Sequence, residues 1–183
     1  MTTSSASTIN WSAPASATAP KDKIANGIAV RLSPTGTVNV YSRGARPTRF
    51  LIDIVGYYRA DTGAQVYPTV PTRAYDSRAA APQQGQLLYG SPGRIVSVAD
   101  ARDPKGAVMS AGVIPTGSTG IAYNVTVTGT ANGGHLRLYP ADVAMPNSSV
   151  LNWPDAKYTR SNGNAVAISS DRKVGLYTSA RAT

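Results

Sequence analysis

The sequence predicts an all-β fold, an antiparallel β-sandwich or barrel-like module, from three observations. Glutamate is missing from all 183 residues, so the nine acidic side chains are all Asp. Where Glu, Leu and Ala at helical spacing would build helices, this chain spends its length on Val, Thr, Tyr, Gly, Pro and Ser, which suit strands and turns. Short runs that alternate apolar and polar residues recur with turn signals between them.

The elements follow in order. Residues 1–20, "MTTSSASTINWSAPASATAP", are rich in Ser, Thr, Ala and Pro and read as an arm that is flexible or ordered only on assembly. They hold no basic n-region and no apolar h-region, so they are not a secretory signal as written. Residues 21–183 are expected to form a single β module. "GIAVRL" (Gly27 to Leu32) and "TVNVY" (Thr37 to Tyr41) flank the turn "SPTG" and predict a hairpin. Arg43, Arg46 and Arg49 in "SRGARPTR" form the tightest basic group, read as a solvated loop because basic patches that bind nucleic acid run denser and carry interleaved aromatics.

"FLIDIV" (Phe50 to Val55) is almost continuously apolar, as a strand covered on both faces would be. Its Asp53 is either on the solvent face or buried with a partner; buried, it needs a guanidinium, and Arg73 or Arg78 of "PTRAYDSR" are the obvious donors, with Asp76 in the same network. These are read as ion pairs that specify the fold. Tyr57 and Tyr58 close the run as a strand end or an intermolecular contact. "RIVSV" (Arg94 to Val98) is a further strand. In "IAYNVTVTGTANGGHLRLY", Ile121, Tyr123, Val125 and Val127 alternate with polar residues and Leu136 and Leu138 resume the pattern. "NGG" at Asn132 to Gly134 would supply positive-φ positions, so the two runs predict a second hairpin. "AVAIS" (Ala165 to Ser169) and "KVGLY" (Lys173 to Tyr177) complete the set.

Composition excludes several chemistries. Cysteine is absent, which removes disulfides, thiolate metal sites and thiol nucleophiles together. The one histidine, His135, has no second imidazole to share a metal and is read as structural. Asp100 and Asp103 in "ADARDPKG" are close enough for paired-carboxylate chemistry, but a turn-rich loop favours Asp bonding its own backbone. No glycine-rich loop leads from a strand into a helix. No catalytic, cofactor or metal residue is therefore expected, and the chain is read as non-enzymatic. "NVT" and "NSS" are glycosylation acceptors only in a suitable host. A formal charge of +9 favours an acidic partner, but the cations spread from Lys21 to Arg181. No run approaches the roughly 18 apolar residues of a membrane span. Neither membrane nor nucleic acid is an expected partner.

The chain also repeats itself. "STINW" (Ser7 to Trp11) followed by "ANGIAVRLSPTGTVNVYS" (Ala25 to Ser42) returns as "SVLNW" (Ser149 to Trp153) followed by "GNAVAISSDRKVGLYT" (Gly163 to Thr178), with shorter turns in the second copy. Residues 7–58 and 149–183 thus read as partial copies of one half-repeat, a long period present about one and a third times. The matched positions of Trp11 and Trp153 point to packing, although an exposed indole face could stack on a sugar ring.

Taken together, "PTRAYDSR", "IPTGSTGIAYNVTVTG", "HLRLYP", "SSVLNW", "NAVAI", "VGLY" and "FLIDIVGYY" resemble a repeat common in secreted and surface proteins of actinobacteria, and segments of virion proteins from phages that infect them. The resemblance runs from Ser7 onward in shifted order. It implies a β-rich, non-catalytic module with no active site to carry over. In this chain the first copy continues into "FLIDIVGYY" whereas the second has no such strand, which leaves two arrangements open. Either Thr37 to Tyr41 and Phe50 to Val55 pair with the hairpin of Ile121 to Tyr139, and the last forty or so residues are surplus, or the C-terminal strands join a core of residues 66–183 that accepts "FLIDIVGYY" from a neighbouring copy.

Both predict a homo-oligomer, a closed trimer in preference to a fibre. The expected function is that of a structural protein of an actinobacteriophage virion, a capsid decoration or minor tail protein. Its expected partners are itself and other virion proteins such as the major capsid or tail proteins. It would be assembled in the host cytoplasm and displayed on the virion surface. The other expectation is an extracellular or cell-surface module that binds cell-envelope glycan.

Overall fold

The computed structural model describes residues 7–10, 24–43, 49–57, 63–79, 85 and 93–179. Eight strands and no helix occur among them: β1 (Arg94–Ser97), β2 (Ala101–Arg102), β3 (Val108–Ser110), β4 (Gly120–Val127), β5 (Gly134–Pro140), β6 (Leu151–Trp153), β7 (Arg160–Ala167) and β8 (Lys173–Thr178). The fold is all-β and every pairing is antiparallel. A four-stranded sheet has the order β1-β8-β5-β6, while β4 with β7 and β2 with β3 form two-stranded ribbons.

Strand alternation builds the core. Val174 and Leu176 of β8, Leu136 of β5, Leu151 and Trp153 of β6 and Val96 of β1 turn to one face and form a buried cluster with Val98 and Ile168. Ile121, Val125 and Val127 of β4 and Val166 of β7 pack against that cluster. The ribbon's own pattern is a strict alternation of exposed and half-buried residues along β4. Such a strand has one face toward apolar side chains and one toward water, and a register slip of one residue would exchange them.

The expected strands around "RIVSV", "KVGLY", "IAYNVTV" and "HLRLY" are present, but two expected pairings are not. β4 does not pair with β5; it runs against β7, from Gly120 opposite Ala167 to Val127 opposite Arg160. β5 instead lies between β6 and β8. The "NGG" segment is accordingly not a positive-φ hairpin turn: neither Asn132, Gly133 nor Gly134 has positive φ, and Gly129 does (61°). Gly133 serves close approach, since a Cβ there would collide with the Pro154 carbonyl oxygen.

β8 pairs on both sides, with β1 and with β5, so the C-terminal strands belong to the core and the arrangement that made them surplus is overturned.

The first hairpin is reduced to its turn. Ser33 donates its amide to the Thr37 carbonyl at 3.0 Å and Gly36 donates to Ser33 at 2.9 Å, but residues 27–32 and 37–41 form no strands. An isolated two-stranded hairpin is marginal in water, and every residue from Ile28 to Leu32 and from Thr37 to Tyr41 is exposed. "FLIDIV" likewise forms no strand and is not covered: every residue from Phe50 to Tyr57 is exposed.

Candidate assembly surface

Two features define the surface: a long apolar segment outside the core, and a strand edge without a partner among the described residues. Phe50, Leu51, Ile52, Ile54, Val55 and Tyr57 are 57–90% exposed. Ile28, Val30, Val40, Tyr67 and Val70 are exposed as well. Scattered apolar residues on a surface are ordinary, whereas six large apolar side chains exposed within eight consecutive residues are not.

The edge is the outer side of β4. Ile168 donates to the Thr119 carbonyl at 3.1 Å, and the register to β7 is unbroken along β4. Ladder bonds alternate along antiparallel strands, so those to β7 fall on odd-numbered β4 residues, and the main-chain groups of Gly120, Ala122, Asn124 and Thr126 point the other way. Among the described residues no backbone group bonds to them there. The far edge of β7 differs, because Gly27 reaches it: a Cβ at Gly27 would stand 2.8 Å from the Gly163 carbonyl oxygen. Beside it, Asn26 Nδ2 donates to the Thr8 carbonyl at 2.7 Å, which ties residues 7–10 of the arm to this side.

The side chains singled out in the sequence fall into separate groups. Asp53 is exposed and is not joined by the arginines expected to pair with it. These go to the nearer carboxylate instead: Arg73 Nη1 bonds Asp76 at 2.9 Å, and Arg78 meets it with Nε at 2.9 Å and Nη2 at 2.7 Å. The Arg78 amide adds a fourth bond at 3.0 Å. Loop closure over two or three residues costs far less than bringing in a partner twenty residues away, so the local pairing wins. The forked bonds from Arg78, helped by the charge of Arg73, hold the Asp76 carboxyl down at about 2.

Arg43 and Arg49 are exposed, as a solvated loop requires; Arg46, Trp11 and Tyr58 lie outside the described residues. Tyr57 is exposed at the end of the apolar segment.

Trp153 is 3% exposed and its indole N–H donates to the Asn132 carbonyl at 2.7 Å, so it fills core volume and offers no face to a sugar. His135 Nδ1 lies 2.8 Å from Ser179 Oγ, and its amide donates to the same hydroxyl at 3.0 Å. Asp103 Oδ1 accepts the amides of Lys105 and Ala107, the backbone role expected of it, and Asp100 accepts the amide of Gly112. Tyr123 is half-buried on the inner-facing row of β4, and this burial pushes its phenol up to about 12.

No cluster of three or more His, Cys, Asp or Glu that could hold a metal ion occurs among the described residues. No helix among them is long and apolar enough to cross a membrane. The β4 edge and the exposed segment were missed as a pair by sequence reasoning, which assigned "FLIDIV" a strand but joined β4 to β5. The signal that separates them is the length of "RSNGNAVA", the eight residues of β7, which match β4 residue for residue. Comparison with protein-family models, with curated proteins and with solved structures finds no match for this chain.

Proposed function

We propose that the chain is a non-enzymatic structural protein of an actinobacteriophage virion, a capsid decoration or minor tail protein, that associates with itself through β edges. The observation that carries this reading is the exposed run Phe50 to Tyr57, none of whose apolar side chains belongs to the buried core. A protein that works alone gains nothing from such a surface, and an assembling one is completed by it. Closed symmetry is the common outcome for soluble oligomers, so a ring, put forward here as a trimer, is preferred to an open fibre, with further contacts to capsid or tail proteins. The resemblance of the "NVTVT", "LNW" and "DIVGYY" motifs to segments of such proteins supports the class. The positive charge favours docking on an acidic shell, a preference that weakens as salt is added.

The test is a labelled antibody against the chain on intact purified particles. Regular surface labelling, with the chain present in the particle's proteins, is the expected result; particles devoid of the chain would overturn the reading.

A second reading, a module that binds cell-envelope glycan, retains support from Tyr41, Tyr57 and Tyr67, which are 72–81% exposed. Burial of Trp153 removes one of the two indoles it invoked. Pull-down on purified cell walls distinguishes it, with Tyr57→Ala and Tyr67→Ala expected to lose binding while remaining folded if glycan is the ligand.

A further inference from the structure

We propose that β4 accepts residues 50–57 of a second copy of this chain as an added strand, with Phe50, Ile52 and Ile54 turned to the core and Asp53 to solvent. This rests on the self-association put forward above and specifies its joint.

Four observations converge on it. Length is the first: β4 has eight residues, and Phe50 to Tyr57 has eight, so one extended segment spans the whole edge, about 27 Å at the usual rise per residue. The outward amides and carbonyls of Gly120, Ala122, Asn124 and Thr126 are the ladder such a segment needs. Among the described residues no other edge matches it. β1 has four residues and β6 three, β2 and β3 are shorter than the segment, and β7 is met by Gly27.

Side-chain parity is the second observation. Successive residues of a strand face opposite sides, so the segment presents either Phe50, Ile52, Ile54 and Gly56 or Leu51, Asp53, Val55 and Tyr57 to the core. A carboxylate turned inward without a cation is costly, and Arg73 and Arg78 are already engaged by Asp76. Asp53 therefore selects the even-numbered face. That face continues the half-covered row of Ile121, Tyr123, Val125 and Val127 on β4.

The third is area. At roughly 150–250 Å² per large side chain, Phe50, Ile52 and Ile54 hold on the order of 400 Å² of exposed surface. Eight residues of main chain and the β4 face they cover add to this, toward the roughly 1,200 Å² at which specific interfaces begin. Each subunit both donates and accepts, so each makes two such joints. The fourth is supply: donor and acceptor are on the same chain, and any two copies provide both.

The experiment uses the full chain. Ile52→Lys disables the donor. Ala122→Pro disables the acceptor while sparing the subunit, because the Ala122 amide points away from β7 and proline is tolerated where a strand's N–H faces outward. Far-UV circular dichroism checks that each variant is folded, and Asn124→Pro removes a second outward amide should Ala122→Pro unfold. The predicted result by sedimentation velocity is that the wild type associates, each variant alone sediments as a monomer, and their equimolar mixture yields a two-subunit species.

Association by a folded Ala122→Pro chain equal to wild type would overturn the β4 assignment, and the same result for Ile52→Lys would overturn the donor; either leaves self-association standing. A wild type that stays monomeric would remove self-association and this joint together.

Discussion

The ring of Tyr139 lies over Gly175, its partner across the β5 and β8 ladder, so closely that a Cβ at Gly175 would stand 2.5 Å from the ring's Cζ. The glycine gives β8 a flat place on the face away from Val174 and Leu176, and the tyrosine covers what would otherwise be bare backbone in the middle of the sheet. A glycine in a strand interior that marks close approach is a known use of the residue.

Gly175→Ala is expected to lose about 1–3 kcal/mol of stability, the usual cost of forcing extra volume into a packed site. The effect should shrink in a Tyr139→Ala background, since nothing then needs to move. A double-mutant cycle in urea unfolding measures the coupling, and equal costs in both backgrounds would contradict the contact.

Trp153→Phe removes the indole N–H and leaves the Asn132 carbonyl without its donor. The expected loss is about 1–3 kcal/mol for the unsatisfied group plus the volume lost. Because Trp153 is buried, the variant should unfold earlier without a selective loss of binding to cell walls, which a pull-down on folded protein checks.

Asp76 sets an acid limit. Its folded pKa, about 2, lies below the ordinary 3.8, so the arginine pairing stabilises the fold above pH 4 and that contribution is lost as pH falls from 4 toward 2. Asp76→Asn should therefore be less stable than wild type at pH 7 and converge on it near pH 2. Unfolding midpoints across that range test the sign; a gap that persists at pH 2 would place the effect elsewhere.

How much was legible follows from what each signal encodes. Alternation in "RIVSV", "HLRLY" and "KVGLY" identified strands, because local period two reports which side chains share a face. It carries no information about the neighbour, so β4 was joined to β5 across "NGG" when its partner was β7, more than thirty residues further on. The repeat shows the same limit. "VGLY" is a buried strand with Leu176 5% exposed, whereas in "VNVY" the matching Val40 is 53% exposed, the difference being the neighbours available to each.

Ion pairing was foreseen for Arg73, Arg78 and Asp76; for Asp53 the solvent-face alternative holds rather than the buried pair, since the sequence shows charges but not the local turn that brings Asp76 within reach of both arginines. The exposure of Phe50 to Tyr57 was the least legible feature, because an apolar run looks the same whether its cover comes from its own chain or from another.

The mass of the chain in solution at tens of micromolar is the most direct check on self-association through Phe50 to Tyr57. A closed trimer has three times the 19.0 kDa of one chain, and that mass should fall to a single chain in Ile52→Lys. A wild type that stays at 19.0 kDa however far it is concentrated would contradict the account.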